Sequence, residues 1–219
     1  MYKNINAFKL IFVVMILKSL KRRDYNKARK LLWKEWNLWA KESWTPKYLC
    51  AWIYMLEILE DSDRIICCKE NWKLIGFAGY FKHGSKKHIL RKRISSLIKS
   101  WLYKSKKIKN LKALKEYKDN YSYTPKELGN YFDWDATILI VDKAFRWKWI
   151  WKALFLKIFE LAKKDGIKKL QILTDPSCSF EFYEWLWCKK IYERKIKNEE
   201  KGRLKGVEYT HWFIYEKVL

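Results

Sequence analysis

Val141-Asp142-Lys143-Ala144-Phe145-Arg146-Trp147-Lys148-Trp149-Ile150-Trp151-Lys152-Ala153-Leu154 is the stretch on which the reading of this chain turns. The segment leading into it, Ala136 to Val141, is almost purely apolar, the pattern of a strand buried on both faces in the middle of a sheet. The segment leading out, from about Ile150 to Lys164, carries apolar side chains at helical spacing and stops before Gly166, a residue suited to the C′ position. The prediction is strand, sharp turn, helix. A helix that starts there offers N–H groups with no partner inside the helix, together with the positive end of its dipole, and both attract an anion. A diphosphate reaches those groups only where side chains stand aside, which is why such turns carry glycine. Here tryptophan occupies 147, 149 and 151.

The composition repeats this conflict. The chain has 7 Gly and 14 Trp in 219 residues, where average glycine usage of about 7% would give roughly 15. Asn71-Trp72 lies between two alternating apolar runs, where Asn-Gly is the strongest hairpin signal because a type I′ turn needs positive φ twice. Asp133-Trp134-Asp135 precedes another strand and reads as an Asp-Gly turn would. The expectation is that the tryptophans at 72, 134, 147, 149, 151 and 187 stand for glycine, through a UGA codon that some bacterial lineages decode as glycine and others as tryptophan. The opposing reading is a genuine tryptophan-rich core, each ring covering about 150 to 250 Å².

With glycine in place of tryptophan the turn becomes Arg-Gly-Lys-Gly-Ile-Gly-Lys-Ala-Leu. It is then similar to the acyl-CoA signature of the GNAT superfamily of N-acetyltransferases, with Arg146, Trp149 and Trp151 at the signature positions. Phe182-Tyr183-Glu184-Trp185-Leu186-Trp187-Cys188 resembles the family's second signature, with Trp187 at its glycine. The resemblance is clearest from Asp63 to Leu219, apart from a basic insertion. It implies an α/β (α+β) fold, the GNAT acyl-CoA N-acyltransferase fold, with a central mixed, mostly antiparallel sheet flanked by helices in the order β-α-α-β-β-β-α-β-α-β-β. It further implies an acyltransferase that moves an acetyl group from acetyl-CoA, its co-substrate, to an amine by direct attack. The amine would enter between two central strands, 136–141 and 169–174, that splay apart. The implied CoA contacts are Ile140, Val141, Arg146, Trp147, Lys148, Trp149, Ile150, Trp151 and Lys152, with amides from Trp147 to Lys152 on the pyrophosphate. An N–H near Leu139 to Val141 would face the developing oxyanion. Tyr183 matches the tyrosine that protonates the departing thiolate. The base that deprotonates the amine is not identified; Asp135, Glu208 and His211 are candidates.

The chain is of single-domain size, and 1–219 is expected to be one N-acetyltransferase domain with a basic helical insertion at about 84–130. The remaining pattern gives a strand at 12–20 and a helix from Asp24 through Leu32. A second helix follows Pro46. Strands are expected at 64–69 and 73–81, one or two amphipathic helices over 88–117, a strand at 169–174, a helix at 179–186, and strands at 189–195 and 209–216. In the insertion, the cationic face is expected to be solvated.

Five cysteines, Cys50, Cys67, Cys68, Cys178 and Cys188, are expected to be reduced, mostly buried thiols, and their spacing suits no zinc site. No metal is expected. The apolar run Phe8 to Leu17 lacks a signal cleavage site and is too short to span a bilayer; Met15 is an alternative start. Cytoplasmic localisation and no membrane partner follow. The net charge of +24 invites nucleic acid as a partner, but the lysines are spread along the chain and no base-reading motif accompanies them, so nucleic acid is disfavoured. The expected partner is a small-molecule or peptide amine acceptor, and a homodimer stays open. A basic, aromatic-rich nucleic-acid-binding module, or an inactive acyltransferase-fold protein if the loop tryptophans are genuine, is the alternative function.

Overall fold

The computed structural model describes residues 16–36, 47–86, 88–104, 124–129, 131–175, 180–197 and 209–219. The elements are β1 (Ile16–Ser19), α1 (Tyr25–Trp36), α2 (Lys47–Asp61), β2 (Arg64–Glu70), β3 (Lys73–Lys82), α3 (Ile89–Lys104), β4 (Trp134–Val141), α4 (Ile150–Lys164), β5 (Lys169–Thr174), α5 (Glu181–Trp185), β6 (Lys189–Lys197) and β7 (Tyr209–Val218). The order is the expected one with α3 inserted between β3 and β4. The part of the first strand expected before Ile16, the insertion from 105 to 123, Cys178, Ser179 and Glu208 lie outside the described residues.

The strands form one seven-stranded sheet in the order β1-β2-β3-β4-β5-β7-β6. Only β4 and β5 pair in parallel. One face packs under α4 through Ile66, Ile75, Tyr80, Ile150, Leu154, Ile158 and Leu170, and the other under α1 and α2 through Leu32, Ile53, Met55, Ile65, Phe77 and Ile138. Side chains alternate between faces along a strand, so adjacent Cys67 and Cys68 enter opposite layers and cannot bridge. Cys67, Cys68 and Cys188 are buried free thiols, and burial pushes Cys67 and Cys188 up to about 11.

The sequence signals act locally as expected in most places. Asn71 and Trp72 have φ of 46° and 64° and join β2 to β3, the pair of positive angles a type I′ turn requires. At the end of α4, Gly166 has φ 73°; its N–H donates to Lys163 O at 3.0 Å and that of Ile167 to Ala162 O at 3.1 Å, which is a Schellman motif.

Three expectations are corrected. Asp133-Trp134-Asp135 is not a glycine-type turn: Trp134 opens β4, is fully buried, and meets Tyr80 edge-on at 4.9 Å. The helix expected from Asp24 through Leu32 starts where expected, after a tight turn at Arg22–Asp24 in which the Asp24 carboxylate accepts from Lys21 N, but α1 runs past Leu32 to Trp36. The helix expected over 179–186 is described only as α5, Glu181–Trp185.

In the insertion, α3 turns a polar side inward. Lys99 pairs with Glu60, Arg91 donates to Ser62 O, Lys92 meets Asp63 at 2.8 Å, and Tyr103 donates to Glu57 at 3.0 Å. Its cationic residues are therefore partly spent on the acidic end of α2, against the expectation of a wholly solvated face, and Leu90, Leu97 and Trp101 face outward instead.

Candidate active site

The site is built by the failure of β4 and β5 to stay together. They pair only at Trp134↔Leu170 and Asp135↔Gln171. Asp133 locks that end: its carboxylate accepts the N–H groups of Lys168 and Lys169, each at 2.9 Å, and its own N–H donates to Lys169 O at 3.1 Å. Those two backbone donors hold the Asp133 carboxyl below its ordinary range. Just past the last pair, Thr137 is bulged against β3, where Gly79↔Ile138 gives way to Tyr80↔Ala136. A bulge bends its strand, so β4 leaves β5 from that point and a wedge opens toward Val141 and Thr174. Ser62 Oγ lies 2.6 Å from Thr137 Oγ1 and fixes the bulged residue.

Backbone direction in the wedge follows from one bond. Asp142 N–H donates to Ile75 O on β3 at 2.8 Å. Peptide groups alternate sides along a strand, so those of Ile140 also face β3, and those of Leu139 and Val141 face the wedge.

After Val141 the chain bends through a 3₁₀ stretch, Lys143–Lys148, into α4. The Asp142 carboxylate starts the bend by accepting from Ala144 N at 3.1 Å, and it also meets Lys34 at 2.5 Å. Burial would raise the Asp142 carboxyl, but the bonds from Lys34 and Ala144 outweigh it and leave the group lowered. The Arg146 guanidinium donates to Glu35 on α1 at 3.0 Å and to Val141 O at 3.3 Å, which clamps the bend from below. Trp149 closes the bend with φ 57°, ψ 25°. Ala153 N–H donates to Trp149 O at 3.1 Å, which places Ile150 and Trp151 in the first turn of α4, where N–H groups have no acceptor one turn back within the helix.

Indoles crowd that helix start. Trp149 stands 5.5 Å from Trp151 and 5.7 Å from Trp185, and Trp151 stands 4.5 Å from Phe182. Lys152 lies over the Trp185 ring at 4.0 Å, and burial lowers its pKa. These contacts join the start of α4 to α5, so the two helix ends flank the same wedge.

Comparison with known proteins bears on this architecture. No protein-family model matches the chain, and no curated protein matches it in sequence. Solved structures do. An N-acetyltransferase from Staphylococcus aureus Mu50 superposes with a TM-score of 0.54 over 93% of this chain and 98% of its own, at 16% identity. The ribosomal-protein-S18-alanine N-acetyltransferase from Escherichia coli gives 0.53 over 93% of each chain at 12% identity. A GNAT family acetyltransferase from Elizabethkingia anophelis, with acetyl-CoA bound, gives 0.51 over 94% and 99% at 14% identity. The chain has the GNAT fold.

On this GNAT fold the expected residues fall as follows. Val141 ends β4, Arg146, Trp147 and Lys148 fall in the 3₁₀ bend, and Trp149 to Lys152 lead into α4, while Ile140 is buried in the layer under α1 and α2. Tyr183 is 7% exposed, with Phe155, Phe182 and Tyr215 around its ring. Asp135 sits at the closed end of the wedge, 2.9 Å from His83. His211 sits at the open end, because Phe213, two residues on, pairs with Thr174; it meets Glu193 at 2.6 Å. Sequence reading missed Asp133, Thr137 and Glu35. Asp142 carried a signal, since aspartate ahead of a turn commonly accepts the N–H two residues on; Glu35 gave none, lying 111 residues from Arg146. Among the described residues no His, Cys, Asp and Glu group is arranged to hold a metal, and no helix is long and apolar enough to cross a membrane.

Proposed function

We propose that the protein is an N-acetyltransferase that uses acetyl-CoA and delivers the acetyl group directly to an amine. The observation that carries this reading is the wedge between β4 and β5 opening beside the start of α4, on a fold whose solved representatives include acetyltransferases of protein and small-molecule amines by name.

The backbone fits a diphosphate: the N–H groups of Ile150 and Trp151, in the first turn of α4, point along the helix axis at its positive end. The side chains fit less well, because the Trp149 ring stands in a cluster with Trp151 and Trp185 across that approach. The acetyl thioester would lie along β4 in the wedge. The Val141 and Leu139 amides, which face it, would donate to the carbonyl oxygen as the amine attacks, a term worth a few kcal/mol in such sites. The Tyr183 hydroxyl would give its proton to the leaving thiolate, and a residue at the open end, His211 being the nearest candidate, would take the proton of the attacking amine. A model amine has a pKa near 10.4, so removing that proton is a required step at neutral pH.

Thiol release tests the reading. Acetyl-CoA with a panel of polyamines, arylalkylamines and peptide N-termini should release free thiol saturably with at least one acceptor. Binding of acetyl-CoA with no acetyl transfer to any amine would leave the fold without the proposed activity.

A further inference from the structure

The residues with positive φ other than glycine, among those described, are Asn71, Trp72, His88, Trp149 and Trp187. Asparagine and histidine tolerate this region; a bulky side chain there is an outlier. Three tryptophans in it require an explanation.

Each stands in a different local motif, and each motif favours glycine independently of function. Trp72, φ 64°, is the second central residue of the β2–β3 hairpin turn, where positive φ is obligatory. Trp187, φ 60°, is the C′ residue of α5: its N–H donates to Glu184 O and that of Cys188 to Tyr183 O, both at 2.9 Å. That is the Schellman pattern that closes α4, where the same position is Gly166 at φ 73°. Trp149, φ 57°, is the left-handed joint between the 3₁₀ stretch and α4.

The side chains return little for the strain. Trp72 is 81% exposed and Trp187 87%, and Trp149 is 46% exposed, beside the half-buried Trp151 ring, the exposed Trp185 ring and the Lys152 ammonium. Trp134 behaves in the opposite way, with extended backbone and a fully buried ring. A hydrophobic core therefore accounts for Trp134 and not for these three.

We infer that the protein as its own cell makes it carries glycine at 72, 149 and 187, each specified by a UGA codon that the cell reads as glycine. The inference stands on backbone geometry and does not depend on the proposed activity. Its consequence for the site is that no indole would rise from position 149 over the start of α4.

The test is the codon at each of the three positions together with the masses of the peptides that span them, taken from protein isolated from the organism that encodes it. UGA at all three, with each peptide lighter by one indole side chain than the tryptophan form, is the expected result. A UGG codon or a tryptophan-bearing peptide at any of the three overturns the inference, whatever the protein's activity.

Discussion

Replacing Trp72 and Trp187 together by glycine should stabilise the fold. Each non-glycine residue in the left-handed region costs about 1 to 2 kcal/mol, which glycine avoids. Against this, glycine frees the unfolded chain by about 0.5 to 1 kcal/mol relative to alanine. The lost burial is close to nil: the rings are 81% and 87% exposed, and a realistic unfolded chain already hides roughly 10 to 40% of its apolar surface. The net is about 0.5 to 1 kcal/mol per site and about 1 to 2 for the pair, since the hairpin joins β2 to β3 and α5 lies against β6 at the far edge of the sheet, so the two should add. For a chain of this length that corresponds to a rise in Tm of roughly 2 to 8 °C. Trp134→Gly supplies the contrast: that ring is fully buried, and its removal should cost about 3 to 5 kcal/mol. Thermal unfolding followed by circular dichroism reads both variants against the parent. A Trp72→Gly/Trp187→Gly protein no more stable than its parent would refute the assignment of strain to these two positions.

Other consequences are as direct. Tyr183→Phe should slow acetyl transfer by about 10² to 10⁴-fold with acetyl-CoA affinity unchanged; equal rates would make Tyr183 a packing residue only. Asp133→Ala removes two charge-assisted bonds to Lys168 and Lys169 and, screened by solvent, should cost about 1 kcal/mol in urea unfolding. A Cβ at Gly76 would stand 3.0 Å from Ile140 O and 3.2 Å from Leu154 Cδ1, so Gly76→Ala should crowd β4 and the Leu154 side chain of α4 at about 1 to 3 kcal/mol, read by the same unfolding. The bond to Asp135 raises His83 above its ordinary 6.5. A raised folded pKa stabilises fully below the unfolded value and ceases to do so as pH rises through the folded one. The unfolding free energy of the parent relative to Asp135→Asn should therefore shrink as pH climbs from below 6.5 past the raised value, and a difference constant with pH would count against the pair.

Much of the fold was legible because its signals are local. Periodicity and Gly166 fixed α4 from Ile150 to Lys164, as observed, and Asn71 marked the hairpin although tryptophan follows it. Trp134 misled because the flanking aspartates look like turn residues; Asp133 is in fact tied to Lys168 and Lys169, across 35 and 36 residues, and tertiary pairing made the rest a strand. The wedge was expected from the resemblance, but its cause, the bulge at Thr137, depends on register against β3, which no single strand encodes. The pairing of Arg146 with Glu35 was not legible, because only the folded packing of α1 brings that partner within reach. The inward polar side of α3 was hidden for the same reason, since its acidic partners lie on and just after α2.

The central claim concerns a few amides at the start of α4, and backbone ¹⁵N–¹H chemical shifts report on them one by one. Acetyl-CoA titrated into labelled protein carrying glycine at 147, 149 and 151 should move the signals of residues 150 to 152 most, saturably, with smaller shifts at 139 and 141. Saturable shifts confined to other parts of the sheet, or none at any concentration, would contradict the account.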